Sequence, residues 1–358
     1  MRKYFLFLVF VLTVIVGFNS CKQCKSSQAL QVKNDTATIP AIDSLNAQIR
    51  QDSLNPFLYY KRAHLFEAND ELKSAITDMF YALTLDTLRP EFYLFAAELF
   101  KKSGEPQRGI LLMNKAITTD SMNTTYYVQA ASFAYIDTTI KGNYRLALDY
   151  LNVAIERDPQ NAEIYFYKGN VFKELGDTTK ALSAFQTATE LNSKFYDAYM
   201  QIGLLLQKRN DKNAVKYLEN AIKVGAKPEQ ALYAKACVLK DEGVNLYDAD
   251  KDAKAREKLI AAVETFKQVI DVNYKNVEAY MGAGFCYYQM DSVLEAYRYY
   301  ELATKVEPAY GGAYFSKGLC AEDLGRKKEA MNLFQTALNI DPTLTRAQEH
   351  LSKMQKTP

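Results

Sequence analysis

A unit of 34 residues recurs along most of this chain, and no other feature restricts the possible folds as strongly. Two copies can be compared directly: residues 162–195 read AEIYFYKGNVFKELGDTTKALSAFQTATELNSKF, and residues 277–310 read VEAYMGAGFCYYQMDSVLEAYRYYELATKVEPAY. Both have an aromatic residue at position 4, small residues at positions 8, 20 and 27, and a large apolar residue at position 24. Because antiparallel helices approach closely only where side chains are small, each unit predicts a helical hairpin.

This pattern resembles the tetratricopeptide repeat (TPR). The sixth unit departs most, since the apolar positions of its second helix come about 14 residues late, which predicts extra turns on both helices. Single capping helices are predicted before and after the repeats, in 40–55 and 345–358. The fold class is therefore predicted to be all-α, and the resemblance implies a right-handed α-solenoid whose repeats bury their apolar faces against their neighbours. The eight predicted repeats span 56–89, 90–123, 124–161, 162–195, 196–228, 229–276, 277–310 and 311–344.

The N-terminal segment has the features of an export signal. Residues 1–20 read MRKYFLFLVFVLTVIVGFNS, a short basic start and an apolar run that is shorter than the roughly 20 residues of a membrane span. The junction Ser20-Cys21 resembles a bacterial lipobox, which implies that residues 1–20 form a lipoprotein signal peptide and that Cys21 is lipidated. An uncleaved N-terminal anchor and ordinary secretion are the alternatives. Residues 21–39 are polar and predict a flexible tether.

The resemblance to bacterial TPR lipoproteins implies a place in the cell envelope. Lys22 stands where an Asp would signal retention in the inner membrane, so we expect the outer membrane, facing the periplasm. The spacing Cys21-x-x-Cys24 could indicate a redox pair or half of a zinc site. The sequence has neither the βαβ pattern expected around a redox pair nor a second Cys/His pair expected for zinc. Cys24 is therefore left without a predicted role.

Composition argues against several functional classes. The formal charge is +2, and removal of Arg2 and Lys3 with the leader brings it to about zero, so no basic footprint for nucleic acid is present. Two histidines in 358 residues disfavour a histidine-based catalytic or metal site. The run Asp248-x-Asp250-x-Asp252 lacks the glycine and the closing Glu of a calcium loop. We expect no cofactor, no metal, no small-molecule substrate and no enzymatic activity.

The resemblance places a binding groove on the concave face, lined by positions 2, 5, 9 and 12 of the first helices. Position 5 is apolar or aromatic in every repeat, and position 9 becomes apolar towards the C-terminus. An exposed apolar wall usually marks a partner site, and a helix or extended peptide with apolar anchors would fit it. The alternative for any single residue is ordinary packing. The predicted groove residues are Met200, Leu204, Tyr233, Met281, Phe285, Tyr288, Phe315 and Leu319.

Triplets of Asp, Ser or Thr, and an apolar residue or Thr recur more often than composition suggests. They resemble the acceptor sequon of an O-glycosylation system that modifies exported proteins in some Gram-negative bacteria. The alternative is structural, because Asp followed by Ser or Thr is favourable in turns and at helix N-termini. The candidate acceptors are Thr36, Ser44, Ser53, Thr87, Ser121, Thr138, Thr178 and Ser292.

Together these features predict a non-enzymatic scaffold or adaptor of the cell envelope that binds a protein or peptide partner in its groove. In plan the chain is similar to TPR lipoproteins that help to assemble secretion, pilus or cell-wall complexes. The alternative is a periplasmic chaperone that holds apolar segments of unfolded clients. Fold alone does not decide between them.

Overall fold

The computed structural model describes residues 38–136, 143–225, 228–247 and 252–356. Within these ranges all regular secondary structure is helical, which confirms the predicted all-α class. The helices are α1 (Thr38–Gln51), α2 (Pro56–Ala68), α3 (Leu72–Leu85), α4 (Pro90–Lys102), α5 (Pro106–Thr119), α6 (Thr124–Ile136), α7 (Asn143–Arg157), α8 (Ala162–Glu174), α9 (Thr178–Leu191), α10 (Tyr196–Lys208), α11 (Ala214–Val224), α12 (Glu229–Tyr247), α13 (Asp252–Val272), α14 (Val277–Gln289), α15 (Val293–Val306), α16 (Gly311–Asp323), α17 (Lys327–Ile340) and α18 (Thr345–Lys356).

The helices pack in the order in which they occur along the chain. Helices α2 to α17 form hairpins with their sequence neighbours, and the substantial contacts between helices join elements that are adjacent or separated by one helix. The contacts of the second kind join first helices of successive repeats, such as α10 with α12 and α12 with α14. This arrangement is the predicted α-solenoid, in which stability comes from contacts between neighbours.

In the repeats of regular length, the hairpin closes on a small residue at position 8 that faces a large residue at position 24. A Cβ atom added to Gly169 would lie 2.6 Å from the Phe185 ring, and one added to Gly318 would lie 2.7 Å from the Phe334 ring. Repeats with alanine at position 8, such as Ala63, bury it completely. The small residue therefore sets how closely the two helices approach, and the large one fills the space between them.

In the six hairpins whose turns the structure describes, the turn uses a left-handed residue at position 15. Gly104, Gly176 and Gly325 have φ values of 81°, 76° and 73° there, whereas Asp70, Asn210 and Asp291 have 62°, 51° and 59°. Glycine adopts this conformation without a steric penalty, and Asn and Asp are the other residues that tolerate it best. The chain can therefore reverse within a few residues and begin the second helix.

The tyrosine at position 4 joins one repeat to the turn before it. The hydroxyl of Tyr93 donates to the carbonyl oxygen of Thr87 at 3.1 Å, and that of Tyr165 donates to the carbonyl oxygen of Pro159 at 3.1 Å. Equivalent bonds are made by Tyr59, Tyr127 and Tyr280. Each bond satisfies a turn carbonyl that the helices leave unpaired, so the aromatic residue fixes the direction in which the next hairpin starts.

The sixth repeat has a longer hairpin than its neighbours. Helices α12 and α13 contain 19 and 21 residues, whereas the other helices contain 11 to 15. The added turns continue the packing of the hairpin, because Gly243 faces Leu259 in the same manner as position 8 faces position 24. The extension therefore projects beyond the neighbouring repeats as a packed pair of helices.

Single helices cover the two ends of the described array. Helix α1 packs on α2, where Arg62 forms ion-pair contacts of 2.7 Å with Asp78 and donates to Asn46 of α1. Helix α18 packs on α17 through Ala347 and Leu351. The sequence assigned residues 38 and 39 to the tether, which was wrong by two residues: α1 begins at Thr38, because a proline at position 40 is acceptable in a first helical turn.

We expect Gly169→Ala to lower the free energy of unfolding by about 1 to 2 kcal/mol. The new methyl group overlaps the Phe185 ring, and this cost exceeds the helix-propensity gain of about 1 kcal/mol. Urea unfolding followed by circular dichroism measures the change. Gly312→Ala is the matched control, because its nearest neighbouring atom lies 3.5 Å away. Equal stability of the two variants would contradict this account of the hairpin.

Candidate functional site

A first apolar cavity lies between α10 and α12, with α14 at one end. Its volume is about 450 Å³, and its apolar lining includes Met200, Leu204, Tyr233 and Cys237. Glu229 is the one charged residue of its lining, so we call it the Glu229 cavity. It is large enough to hold an aliphatic or aromatic side chain of a partner.

Glu229 has an unusual set of hydrogen bonds. The side-chain amides of Asn273 and Asn276 donate to the same oxygen, Oε1, at 2.8 and 2.9 Å. These bonds lower the pKa of the Glu229 carboxyl, so the group is charged at neutral pH. Among the described residues none donates to Oε2, and none forms an ion pair with this carboxylate. The cavity therefore contains an ionised carboxylate with one oxygen available.

A second apolar cavity lies where α14, α16 and α18 meet. Its volume is about 290 Å³, and it is lined by aromatic and aliphatic side chains that include Phe285, Tyr288, Phe315 and Leu319. Arg346 of α18 is the one charged residue of its lining, so we call it the Arg346 cavity. The guanidinium lies 5.5 Å from the centre of the Phe315 ring and has no carboxylate partner among the described residues.

A polar stretch separates the two cavities. Lys240 Nζ lies 3.1 Å from Asp241 Oδ1 and 5.5 Å from the centre of the Phe285 ring. Further cavities connect the two sites, one bounded by Gln207 and Asp241 and the next by Asp241 and Phe285. The apolar wall predicted from the sequence is thus two apolar cavities with a charged segment of the long α12 helix between them.

The structure distributes the predicted groove residues unevenly. Leu204 and Tyr233 line the Glu229 cavity and are partly exposed. Met200 also lines it, although only 8% of its surface is exposed. Most of its side chain packs in a cluster that includes Ala231 and Ala234 of α12. Met281 lines neither cavity and packs beside Tyr280 and Ala303 instead.

In the Arg346 cavity the predicted residues are held in place by specific contacts. The hydroxyl of Tyr288 donates to Asp323 Oδ2 at 2.7 Å, and this hydrogen bond, together with desolvation, raises the pKa of that phenol to about 12. The Phe315 ring packs against the Phe334 ring with centroids 5.9 Å apart. These contacts fix the cavity walls before any partner arrives.

Sequence reasoning missed the two charged residues that distinguish the cavities. Glu229 is the first residue of α12 and lies outside the groove positions used in the prediction. Arg346 occupies position 2 of α18, if that helix is counted as the first helix of a ninth repeat. Extending the repeat numbering past residue 344 would have identified Arg346, whereas the placement of Glu229 depends on the two asparagine amides after α13.

The three cysteines of the repeats are packed in the array as free thiols. Cys286 and Cys320 are fully buried, and burial raises the pKa of each thiol to about 12. Cys237 is partly exposed, and desolvation raises its pKa too. Such thiols are poor nucleophiles. No set of three or more His, Cys, Asp or Glu side chains within the described ranges could hold a metal ion.

Three of the candidate sequons occupy equivalent turns between repeats. Ser53, Thr87 and Ser121 are exposed there, and each offers its backbone carbonyl oxygen to the position 4 tyrosine described above. The preceding aspartates have structural roles: Asp86 accepts from the amide of Leu88, and Asp120 accepts from the amide of Met122. The turn interpretation thus accounts for these aspartates, and modification of the hydroxyls stays a prediction.

The other candidate modification sites are less uniform. Ser44 is exposed in the middle of α1, Thr178 is the first residue of α9, and Ser292 precedes α15. Cys21, Cys24, Thr36 and Thr138 lie outside the described residues, as does most of the calcium-like run 248–252. In the parts of the chain that are described, we find no helix whose length and apolarity would suffice to cross a membrane.

An aromatic cluster occupies the opposite, N-terminal part of the groove. The His64 ring stacks on Phe95 with centroids 3.7 Å apart and meets the edge of Tyr60 at 4.6 Å. Desolvation by these rings lowers the pKa of His64, and the nearby Glu67 opposes this effect only in part. The imidazole is therefore neutral at neutral pH and belongs to the packed surface.

Comparison with known proteins identifies the repeats. Models of the tetratricopeptide repeat family match residues 141–194 and residues 311–344. The C-terminal part of a TPR repeat-containing protein from Cytophaga hutchinsonii has a similar structure, with a TM-score of 0.58 and 18% identity over 72% of this chain and 99% of that chain. At this identity the likeness supports the fold alone.

Curated relatives match through part of their length. A probable SPINDLY N-acetylglucosaminyltransferase of Solanum lycopersicum is 30% identical over 29% of this chain and 12% of that protein. A DnaJ protein P58IPK homolog of Arabidopsis thaliana is 26% identical over 58% of this chain and 46% of that protein. The chain thus spans less than half the length of either relative.

We expect His64 to titrate below its ordinary pKa of 6.5 in the folded protein. An NMR titration of the His350→Asn chain, which keeps one histidine, measures it. Folding favours the neutral imidazole, so the array should lose stability as pH falls from about 6.5 towards the folded-state pKa. Phe95→Leu removes the stacked ring and should return the pKa towards 6.5. A folded-state pKa of 6.5 or higher would contradict the proposed desolvation.

Proposed function

Because this chain is a tetratricopeptide repeat protein, we propose that it is a non-enzymatic scaffold that binds a protein or peptide partner along the C-terminal half of its groove. The observation that carries the proposal is the pair of apolar cavities, the Glu229 cavity and the Arg346 cavity. Both are lined by partly exposed side chains of first helices, including Leu204, Tyr233, Phe285 and Leu319. Exposed apolar surface of this kind is a typical feature of partner sites.

The dimensions of the cavities favour an extended segment or a helix as the guest. Two anchor side chains would enter the two cavities, and the segment between them would cross the polar stretch at Lys240 and Asp241. The walls are already fixed by contacts such as the bond from Tyr288 to Asp323. A preformed site loses little conformational entropy on binding, which favours a specific partner.

We further propose that the scaffold is tethered to the outer membrane, facing the periplasm, through a lipid on Cys21. The support is the sequence of residues 1–21, with its basic start, apolar run and lipobox-like junction. Residues 22–37 would then link the lipid to α1. A tethered scaffold of this kind would suit the assembly of a secretion, pilus or cell-wall complex.

The match to a DnaJ protein favours one second candidate, a chaperone that holds apolar segments of unfolded clients. The two functions differ in the number of partners. A dedicated adaptor engages one partner in a fixed ratio, whereas a chaperone engages many unrelated chains transiently. A crosslinking experiment therefore separates them.

We expect the double variant Phe285→Asp with Leu319→Asp to lose its partner in cells. Two carboxylates in the Arg346 cavity would have to be desolvated by an apolar anchor, which is unfavourable. A photo-crosslinking residue at Gln289, which also lines that cavity, reports occupancy in the native host. We expect a single crosslinked product with the wild-type groove and none with the variant, at unchanged helical circular dichroism.

The matched control for this experiment is Tyr274→Asp with Leu302→Asp. Both residues are large, exposed and outside the two cavities. The control should crosslink as the wild type does. Persistence of the product in the groove variant would refute the groove as the binding site, and many unrelated products would support the chaperone in place of the adaptor.

We expect mass spectrometry of the mature protein from its host to find a chain that begins at Cys21 and has an acylated N-terminal peptide. Cys21→Ala should remove the acyl mass and leave the leader uncleaved. A glycan would appear in the same peptide map as added mass on the peptides that contain Ser53, Thr87 or Ser121. Acyl mass on the Ala variant, or a chain cleaved at another residue, would refute the lipobox assignment.

A further inference from the structure

From the charges of the two cavities we infer the chemistry of the partner, an inference that rests on the groove function proposed above. We propose that the partner segment has a Lys or Arg beside the anchor that enters the Glu229 cavity and an Asp, Glu or terminal carboxylate beside the anchor that enters the Arg346 cavity. The groove would therefore recognise a segment with opposite charges at its two ends.

The Glu229 cavity is built to accept a cation on an aliphatic stem. Leu204 and Tyr233 provide apolar walls along which the methylene groups of Lys or Arg could lie. The carboxylate of Glu229 is oriented by two amide donors on Oε1, and its Oε2 has no donor among the described residues. A charge-assisted hydrogen bond from a partner cation to Oε2 would give both oxygens of the Glu229 carboxylate a donor.

The surroundings of this cavity increase its preference for a cation. Glu278, an exposed residue in the first turn of α14, contributes to raising the pKa of both Tyr233 and Cys237, as a nearby negative charge would. Desolvation raises the pKa of Cys237 and Lys240 opposes this effect, so Lys240 lies near the cavity, but its ammonium group is already paired with Asp241. None of the described residues forms an ion pair with Glu229, so a partner can supply that cation.

The Arg346 cavity has the opposite character. Aromatic and aliphatic groups form its walls, and Arg346 is the single charged group. Two acidic groups of α16 at this end of the array are already bonded, Asp323 to Tyr288 and Glu322 to His350. Glu349, three residues along α18 from Arg346, is exposed and lies outside the cavity lining. The planar guanidinium above Phe315 has donors free for a carboxylate, and a bidentate pair with one would be favourable.

The stretch between the cavities contains charges of both signs. Two ion pairs form there, Lys240 with Asp241 at 3.1 Å and Lys258 with Glu242 at 2.7 Å. The cavity beside these pairs is also lined by two acidic and two basic residues, Asp211, Glu219, Lys212 and Lys216. Because the two signs are balanced in number along the stretch, the net preference of the groove comes from its two ends. Because these ends differ in sign, a bound segment would lie in one direction only.

The test is selection of peptides from a random dodecapeptide display library on the immobilised mature chain. Peptides that require Phe285 and Leu319 for binding should combine a basic residue near one apolar anchor with an acidic residue near the other. On the Glu229→Lys chain the selected peptides should be acidic at both ends, and on the Arg346→Glu chain they should be basic at both ends.

Affinities of synthetic copies of the selected peptides provide the second measurement, by fluorescence anisotropy. Glu229→Gln keeps an oxygen for the asparagine amides, and it should weaken binding about tenfold, as should Arg346→Gln. The matched controls are Glu163→Gln, which removes an exposed first-turn carboxylate from α8, and Arg298→Gln in α15. Both controls should leave the affinity unchanged.

Three results would count against the inference. Selected peptides that need Phe285 and Leu319 but show no charge preference would overturn it and leave the groove function standing. Equal losses of affinity for Glu229→Gln and Glu163→Gln would overturn it as well, because the loss would then reflect the net charge of the protein and not a contact in the Glu229 cavity. If selection yields no peptide that depends on Phe285 and Leu319, both this inference and the groove function fail.

Discussion

The structure depends on one packing contact, between a small residue at position 8 and a large residue sixteen positions later in the same hairpin. The Gly169 to Phe185 and Gly318 to Phe334 contacts are examples, and in both the ring occupies the space that a Cβ atom would fill. Burial of one such large apolar side chain stabilises by about 1.5 to 3 kcal/mol. Because contacts of this kind recur along the array, including Gly203 with Leu218 and Gly284 with Tyr300, the array is stabilised in similar increments along its length.

Because positions 8 and 24 hold each hairpin together, other positions of the first helices can vary and contribute to binding. The contact uses positions 8 and 24, whereas the cavities are lined mainly by positions 5, 9 and 12, such as Tyr233, Phe285 and Tyr288. Substitutions at those positions change the groove without opening the hairpins. The longer sixth repeat shows the same independence: the contact of Gly243 with Leu259 extends the hairpin, whereas Lys240 and Asp241, at positions 12 and 13, separate the two cavities.

The hairpins could be predicted from the sequence because the constraint on them is local and periodic. One side chain at each of a few positions decides how two helices pack, and the 34-residue repeat reveals those positions. The cavities depend instead on contacts that the 34-residue period does not contain. Met200 is nearly buried in a cluster with Ala231 and Ala234 of the next repeat, and the state of Glu229 depends on Asn273 and Asn276 at the far end of the irregular sixth repeat, more than forty residues away.

The position of the two cavities along the array suits a tethered scaffold. They are formed by α10 to α18, whereas the proposed lipid would be attached ahead of α1. The first four repeats then act as a spacer of packed hairpins between the membrane and the site. The packed hairpins keep the site at a fixed distance from α1, whereas the predicted tether before α1 lets the whole array reorient on the membrane. The direction in which a segment binds is therefore set by the two cavities, and the packed repeats add reach without the conformational freedom of a longer linker.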